Sequence, residues 1–334
     1  MTKIKAKASL EAKSHLVDWS YEEQDELKPF ETFIKIKHCG ICYSDIHMID
    51  NDWGLTKYQI VPGHEIVGIV DEVGEASLLK VGDTVGIGWQ RSSCGKCKHC
   101  LSGNDSLCTS PGRSNTIVAN HGGFADHIKF DSRFVFPIPE NLDLKATAPL
   151  LCGGITVYSG LKEAGMTSGQ NIGIIGLGGL GHLAVQFAHK LGNKVTVFTH
   201  TSDKSELAYS LGADTVVITK TGLPQVADRF DVILNTVDRP LDWNGYINLL
   251  DGDGTLCFVG NPGSFEVNIA FLNSKRRRIM GNPIGGRARI VEMLDIASHF
   301  DIKAMIEEFS LDNVNDAVNK LRANDIRFRA VLNM

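Results

Sequence analysis

The sequence predicts an α/β protein of two domains, one β-rich and the other a doubly wound parallel sheet. Three observations carry this expectation. Short β-branched runs broken by glycine fill most of the first 150 residues. From about Thr167, apolar strands alternate with helical spacings at short intervals, as a parallel sheet covered on both faces requires. A glycine-rich turn, GLGGLG at 176–181, stands between the first of those strands and its helix. At 334 residues the chain suits two domains better than one.

In order along the chain, FETFIKIKH (30–38) alternates apolar and polar residues, the pattern of a half-buried strand. IVGIVDEVG (66–74) and VGDTVGIGW (81–89) read as β-branched strands, and FADHIKF (124–130) alternates again. NIGIIG (171–176) is a strand entering the turn, and LGHLAVQFAHKLG (180–192) is a helix closed by glycine. KVTVFT (194–199) is a strand and SDKSELAYSLG (202–212) a helix. TVVIT (215–219), FDVILNTV (230–237) and GTLCFVG (254–260) are strands, with a helix near 243–250 before the last. The basic run 275–278 reads as a solvated edge, with a subunit contact as the alternative. Beyond Gly285, ARIVEMLDIASHF (288–300) is a helix. The tail IRFRAVLNM reads as a strand that could rejoin the first domain. The expected domains are 1–152 with 288–334, and 153–287.

Apolar residues make up 43% of the chain, charged residues 22%, and the net charge is −5. That balance, with no basic residues interleaved with aromatics, argues against nucleic acid or an anionic membrane as the main partner. The start, MTKIKAKASLEAKSHLVDW, lacks a signal-peptide core, and no run approaches the roughly 18 apolar residues of a membrane span. A cytoplasmic protein is expected, where thiols stay reduced.

SCGKCKHCLSGNDSLC (93–108) holds Cys94, Cys97, Cys100 and Cys108 as C-x2-C-x2-C-x7-C. In a reducing compartment this spacing points to four thiolates around one structural zinc, with an iron–sulfur cluster or disulfides as alternatives. Gly95 and Gly103 permit the turns, and Lys96, Lys98 and His99 offset thiolate charge. A closed four-thiolate site has no open position, so this ion would shape the chain and not react.

Cys39, Cys42, Cys152 and Cys257 remain. One thiolate from HCGICYSDIH (38–47), with His64 of GHE (63–65) and Cys152, would supply the three ligands of a catalytic zinc. Spacing leaves both Cys39 and Cys42 eligible. Ser44 follows Cys42 by two, so in an extended segment both side chains would share one side.

GLGGLG fits G-x-G-x-x-G in its meaningful context, after a strand and opening a helix. Gly176 would make the tight turn, Gly178 would admit a pyrophosphate, and Gly181 would let helix and strand pack closely, with Gly179 and Leu180 between them. The phosphates would sit on the helix N-terminus. An acidic residue ending the second strand would mark NAD. Here stand Thr199, His200, Thr201 and Ser202, with Asp203 late and Lys204 beside it. Hydroxyls plus a lysine suit a 2′-phosphate, so NADP(H) is expected, unless Asp203 turns inward.

GICYSDIH, PGHEIVGIV, CGKCKHCLSGNDSLC, PLLCGGITVYSGL and GLGGLG, in that order, resemble the zinc-containing alcohol dehydrogenases of the medium-chain dehydrogenase/reductase group. PLLCGGITVYS, ILNTV and IGG before EML are most similar to the cinnamyl-alcohol-dehydrogenase branch and its bacterial NADP-dependent aldehyde reductases. The resemblance implies a GroES-like catalytic domain, a Rossmann NADP-binding domain, two zinc ions per chain, a homodimer, and a small-molecule alcohol or aldehyde as substrate. It selects Cys42 over Cys39, giving Cys42, His64 and Cys152 as the catalytic zinc ligands, with Glu65 able to approach the ion. It implies that Ser44 passes a proton through the cofactor ribose to His47, and that Asp45 orients His64. Trp53 and Trp89 match positions that line the substrate pocket and favour aromatic or medium-chain aldehydes. Thr156, Thr236, Val237, Gly260 and Ile284 join the cofactor-binding set. Cys257 reads as core.

Overall fold

The computed structural model describes residues 1–334. The chain forms two compact units, 1–152 with 286–334, and 153–285.

The first unit is built on a seven-stranded sheet. In spatial order its strands are Ile306–Ser310, Arg329–Asn333, Glu31–Ile41, Glu65–Val73, Thr84–Ile87 and Val135–Pro137, with His127–Asp131 also paired to Glu31–Ile41. All neighbours are antiparallel except the first two. The C-terminal strand rejoins this unit, pairing Ala330 with Ile41 and Leu332 with Cys39. Ile34, Ile36, Ile66, Val70, Phe124 and Phe130 fill its core, at 2% exposure or less. The hairpin Thr2–Ala8/Val17–Glu23 packs on the same core through Ile4 and Ala6. Lysines and acids crowd this stretch and mask its strand pattern.

The second unit is a six-stranded parallel sheet. Its spatial order is Thr215–Ile218, Lys194–Thr199, Asn171–Ile175, Phe230–Asn235, Leu250–Phe258 and Arg278–Gly281. Numbered along the chain this is 3-2-1-4-5-6, the doubly wound arrangement. The order reverses between Asn171–Ile175 and Phe230–Asn235, so the ends of those strands open a crevice. Gly181–Lys190 is the helix after the glycine turn, burying Leu183, Ala184, Val185 and Phe187.

Two expectations need correction. The last core strand starts at Leu250, not Gly254. The basic run is not uniformly solvated: Arg277 is 7% exposed and donates to the carbonyls of Leu250 (2.8 Å) and Phe271 (2.9 Å). It satisfies carbonyls left over where helix and strand end, while Lys275 and Arg276 stay outside on Asp251 and Asp253.

Candidate metal centre and dinucleotide site

Cys42 ends the strand Glu31–Ile41 and caps the helix Tyr43–Asp50. Ser44 therefore lies in the first helical turn and not in an extended segment, which corrects the geometric basis of the Cys42–Ser44 pairing. The two still meet, Cys42 Sγ lying 3.8 Å from Ser44 Oγ. Asp45 closes the turn by accepting the Cys42 amide at 2.9 Å. Its other oxygen accepts from the Gly63 amide (2.8 Å) and faces His64 Nδ1 (2.9 Å). A wholly buried carboxylate thus fixes both the helix start and the imidazole ring.

Ligand atoms of Cys42, His64, Glu65 and Cys152 all lie within 4.8 Å of one another. Cys39 is outside the set, packed in the core, where burial pushes its thiol well above the usual range. Two sulfurs on one tetrahedral ion at 2.3 Å stand about 3.8 Å apart. Cys42 and Cys152 are 3.9 Å apart, and the fully buried His64 Nε2 beside them has no protein partner. A soft divalent cation fits this donor set. The hydrogen bond from Cys152 holds Cys42 well below the usual thiol range. Burial disfavours a charged His64, but the Asp45 charge and hydrogen bond outweigh it and hold the ring well above its usual range. The same pull makes Nε2 a better metal ligand.

Cys94, Cys97, Cys100 and Cys108 form a second cluster by the same criterion. Cys100 Sγ lies 3.8 Å from Cys94 Sγ and 3.5 Å from Cys97 Sγ. Amides of Lys96 and Cys97 draw the Cys94 thiol down to about 6.

In the second unit, Gly176 has φ +92°. A Cβ on Gly181 would collide with the Gly176 carbonyl, whereas one on Gly178 would meet no protein atom within 4 Å. Gly178 is thus the glycine whose bareness only a ligand would use. Leu180 caps the helix, with Gly179 in the turn before it. Thr236 Oγ1 donates to Ile175 O at 2.7 Å, beside Val237. Gly260 abuts the Val237 backbone, and Ile284 is half-buried. Thr156 is buried in the helix Gly153–Glu163. Thr199 ends its strand, buried, and His200 is exposed. Thr201 hydrogen-bonds Asp203, which stays exposed, and Lys204 Nζ reaches back to Leu177 O at 3.4 Å.

Residues 28–140 match the alcohol dehydrogenase GroES-like domain, and residues 179–299 match zinc-binding dehydrogenase. The chain is 39% identical to aldehyde reductase AdhA of Synechocystis, over 98% of each sequence. The family is zinc-containing alcohol dehydrogenase. Its cinnamyl-alcohol-dehydrogenase branch is the one this chain belongs to. A cinnamyl alcohol dehydrogenase of Sorghum bicolor shares the structure at TM-score 0.90 and 35% identity, covering 99% of this chain and 98% of that one. The enzyme of Helicobacter pylori, solved with NADP(H), gives 0.89 and 31%, covering 100% and 98%.

Three features of this dehydrogenase lie beyond the residues its motifs single out. Arg329, from the C-terminal strand, pairs with Glu65 inside the first unit. Burial pushes the Glu65 carboxyl up to about 7 against the pull of that guanidinium. No local motif marks Arg329; only strand register brings it there. Asp52 holds His47 Nδ1 at 2.8 Å, and its place five residues on, past the helix end, was a usable signal. Asp105, nearly buried in the four-cysteine loop, accepts from the Arg287 amide and Nε, both at 3.1 Å, and so ties that loop to the helix Arg287–Phe300. Trp53 and Trp89 do come together, 6.1 Å apart and edge to face; Trp53 also lies 4.9 Å from His47, and Trp89 lies 5.1 Å from His64.

Proposed function

We propose that this enzyme reduces aromatic or medium-chain aldehydes with NADPH, and oxidises the matching primary alcohols, using two zinc ions per chain. The observation that carries the reading is the part-buried pair of sulfurs 3.9 Å apart beside an unpartnered imidazole nitrogen. Cys42, His64 and Cys152 would hold the catalytic ion, and Cys94, Cys97, Cys100 and Cys108 the structural one. When bound, zinc polarises the substrate carbonyl and NADPH supplies the hydride.

The chain's own residues orient, exclude water and move the proton. Asp45 fixes the His64 ring so that Nε2 faces the ligand set. Ser44 and His47 share one helix three residues apart, hence one face. Ser44, close to Cys42, would give or take the proton at the substrate oxygen. His47, 37% exposed on its side chain, would trade it with water while Asp52 holds its other nitrogen. Glu65 would approach the ion when substrate is absent. Trp53 and Trp89 offer an aromatic wall, which supports aromatic aldehydes.

The second unit would bind the cofactor. Gly176 to Gly181 would cradle the pyrophosphate, while Thr236, Val237, Gly260, Ile284 and Thr156 would contact the remainder. Thr199, His200, Thr201 and Lys204 support a 2′-phosphate, since Asp203 is spent on Thr201 and exposed. The edge strand Arg278–Gly281 pairs on one side only, which supports a homodimer through this sheet. Eight unbridged cysteines suit the cytoplasm. No helix is long and apolar enough to cross a membrane.

The test is aldehyde-dependent oxidation of NADPH, with cinnamaldehyde, run beside NADH, on protein of known zinc content. Fast loss of NADPH with slow loss of NADH is expected. A higher kcat/KM with NADH would overturn the cofactor assignment, and no turnover in protein holding two zinc ions would overturn the reaction.

A further inference from the structure

One carbonyl in the glycine turn takes two donors from a single residue. Gly178 O accepts the backbone amide of His182 at 3.1 Å and lies 3.0 Å from Nδ1 of the same histidine. A carbonyl oxygen only accepts, so Nδ1 carries the proton. His182 is wholly buried in the first turn of the helix Gly181–Lys190, beside the buried Leu183, Ala184 and Val185. An apolar side chain would pack there without the cost of burying a polar ring, so the ring's hydrogen bond has to account for it.

The carbonyl belongs to the peptide between Gly178 and Gly179, the only one in GLGGLG with glycine on both sides. Glycine leaves such a peptide more freedom to turn over than any other pair would. Across a trans peptide the C=O and the following N–H point in opposite directions. Holding Gly178 O against the helix therefore aims the Gly179 N–H outward, off the helix end. The Gly179 amide donates to no backbone carbonyl.

We propose that His182 is a positioning residue for the cofactor: its Nδ1–H locks the Gly178–Gly179 peptide so that the Gly179 amide faces the pyrophosphate. This rests on the assignment of the pyrophosphate to the glycine turn. An amide fixed in advance costs little to order when the anion arrives, and it acts together with the other amides of the helix N-terminus.

The experiment measures NADPH binding to full-length, zinc-loaded enzyme by fluorescence titration without aldehyde. Wild type is compared with His182→Asn and His182→Leu, and each protein is also melted without cofactor. Asn carries an N–H donor where Nδ1 stands and Leu carries none, while neither fills the space of the ring. The Kd for NADPH should stay near the wild-type value in His182→Asn and rise about fivefold or more in His182→Leu, the worth of one hydrogen bond. A packing role alone predicts the reverse order, because Leu suits a buried apolar site better. Equal Kd in the two variants, or tighter binding in His182→Leu, would overturn the proposal. Should His182→Leu fail to fold, nitrogen NMR of the wild-type histidine rings decides, with His182 assigned by the signal missing in His182→Asn. A proton on Nδ1 is expected, and a ring protonated only on Nε2 would overturn the proposal. Gly178→Ala, run alongside, tests the turn assignment itself. If it binds NADPH as well as wild type, the pyrophosphate lies elsewhere and the proposal falls with that assignment. If it weakens binding while His182→Leu does not, only the role of His182 falls.

Discussion

Asp45 Oδ1 lies 2.9 Å from His64 Nδ1, and both side chains are wholly buried. The carboxylate also accepts two backbone amides, so it cannot swing away without opening the start of the helix Tyr43–Asp50. Asp45→Asn keeps the shape but loses the charge that favours Nε2 as a ligand. Metal affinity at Cys42, His64 and Cys152 is expected to fall about 10–100-fold. Chelator competition measures this, with the four-cysteine site as internal control. Equal retention of both ions would show that Asp45 acts only on the fold.

Arg329 and Glu65 form a buried pair linking the C-terminal strand Arg329–Asn333 to the strand Glu65–Val73. Arg329→Met strands the carboxylate and should cost about 3–5 kcal/mol of unfolding free energy. Replacing both, Glu65→Gln with Arg329→Met, should recover much of that loss, because the uncompensated charge is the expensive part. Denaturant titration of the zinc-loaded proteins checks both. A double variant no more stable than the single one would contradict this account.

Most strands of the parallel sheet were legible because each is a continuous apolar run bounded by glycine or a helix cap, as in NIGIIG and FDVILNTV. Both cysteine sets could be read from spacing, although choosing Cys42 over Cys39 needed the family resemblance. What was hidden depends on distance along the chain. Arg329 reaches Glu65 across 264 residues, and Asp105 reaches Arg287 across 182. Nothing in the sequence marks Ser44 as helical, because three residues of a helix start carry no period. The hairpin at the N-terminus was hidden by KIKAK, whose lysines alternate outward while Ile4 and Ala6 turn in.

Cys100 Sγ touches two neighbouring sulfurs in the four-cysteine loop, and Ser93 Oγ besides. Cys100→Ser should lower zinc content from two to one per chain and lower Tm. Wild-type protein should release this ion to chelator more readily as pH falls, because protons compete with the metal for the thiolate sulfurs. Metal-indicator release across pH checks this; a rate independent of pH between neutrality and mild acid would refute thiolate ligation.

His38 and Asn333 are register partners joined at 2.9 Å, tying the C-terminal strand to Glu31–Ile41. Burial, opposed by the Asn333 hydrogen bond, keeps His38 below its usual range. The unfolded chain therefore binds this proton more readily than the folded one. The stability contributed is present above the ordinary histidine range and is lost as pH falls through the depressed folded value. His38→Gln should flatten the mildly acidic part of the Tm–pH curve. An unchanged slope would assign that acid sensitivity to other groups.

Gly178 and Gly181 separate ligand binding from packing within one turn. At Gly181 an added Cβ runs into the Gly176 carbonyl, so Gly181→Ala must push the helix Gly181–Lys190 off its strand. That variant should lose stability by about 1–3 kcal/mol even without cofactor, as overpacked sites do. At Gly178 the same methyl meets no protein atom within 4 Å. Gly178→Ala should keep the wild-type Tm without cofactor but raise the Kd for NADPH and shrink the Tm gain that NADPH gives. Differential scanning fluorimetry of both variants, with and without NADPH, reads all four cases. If Gly178→Ala binds NADPH as well as wild type, the pyrophosphate does not lie over this turn, and the cofactor site must be sought elsewhere along the strand ends.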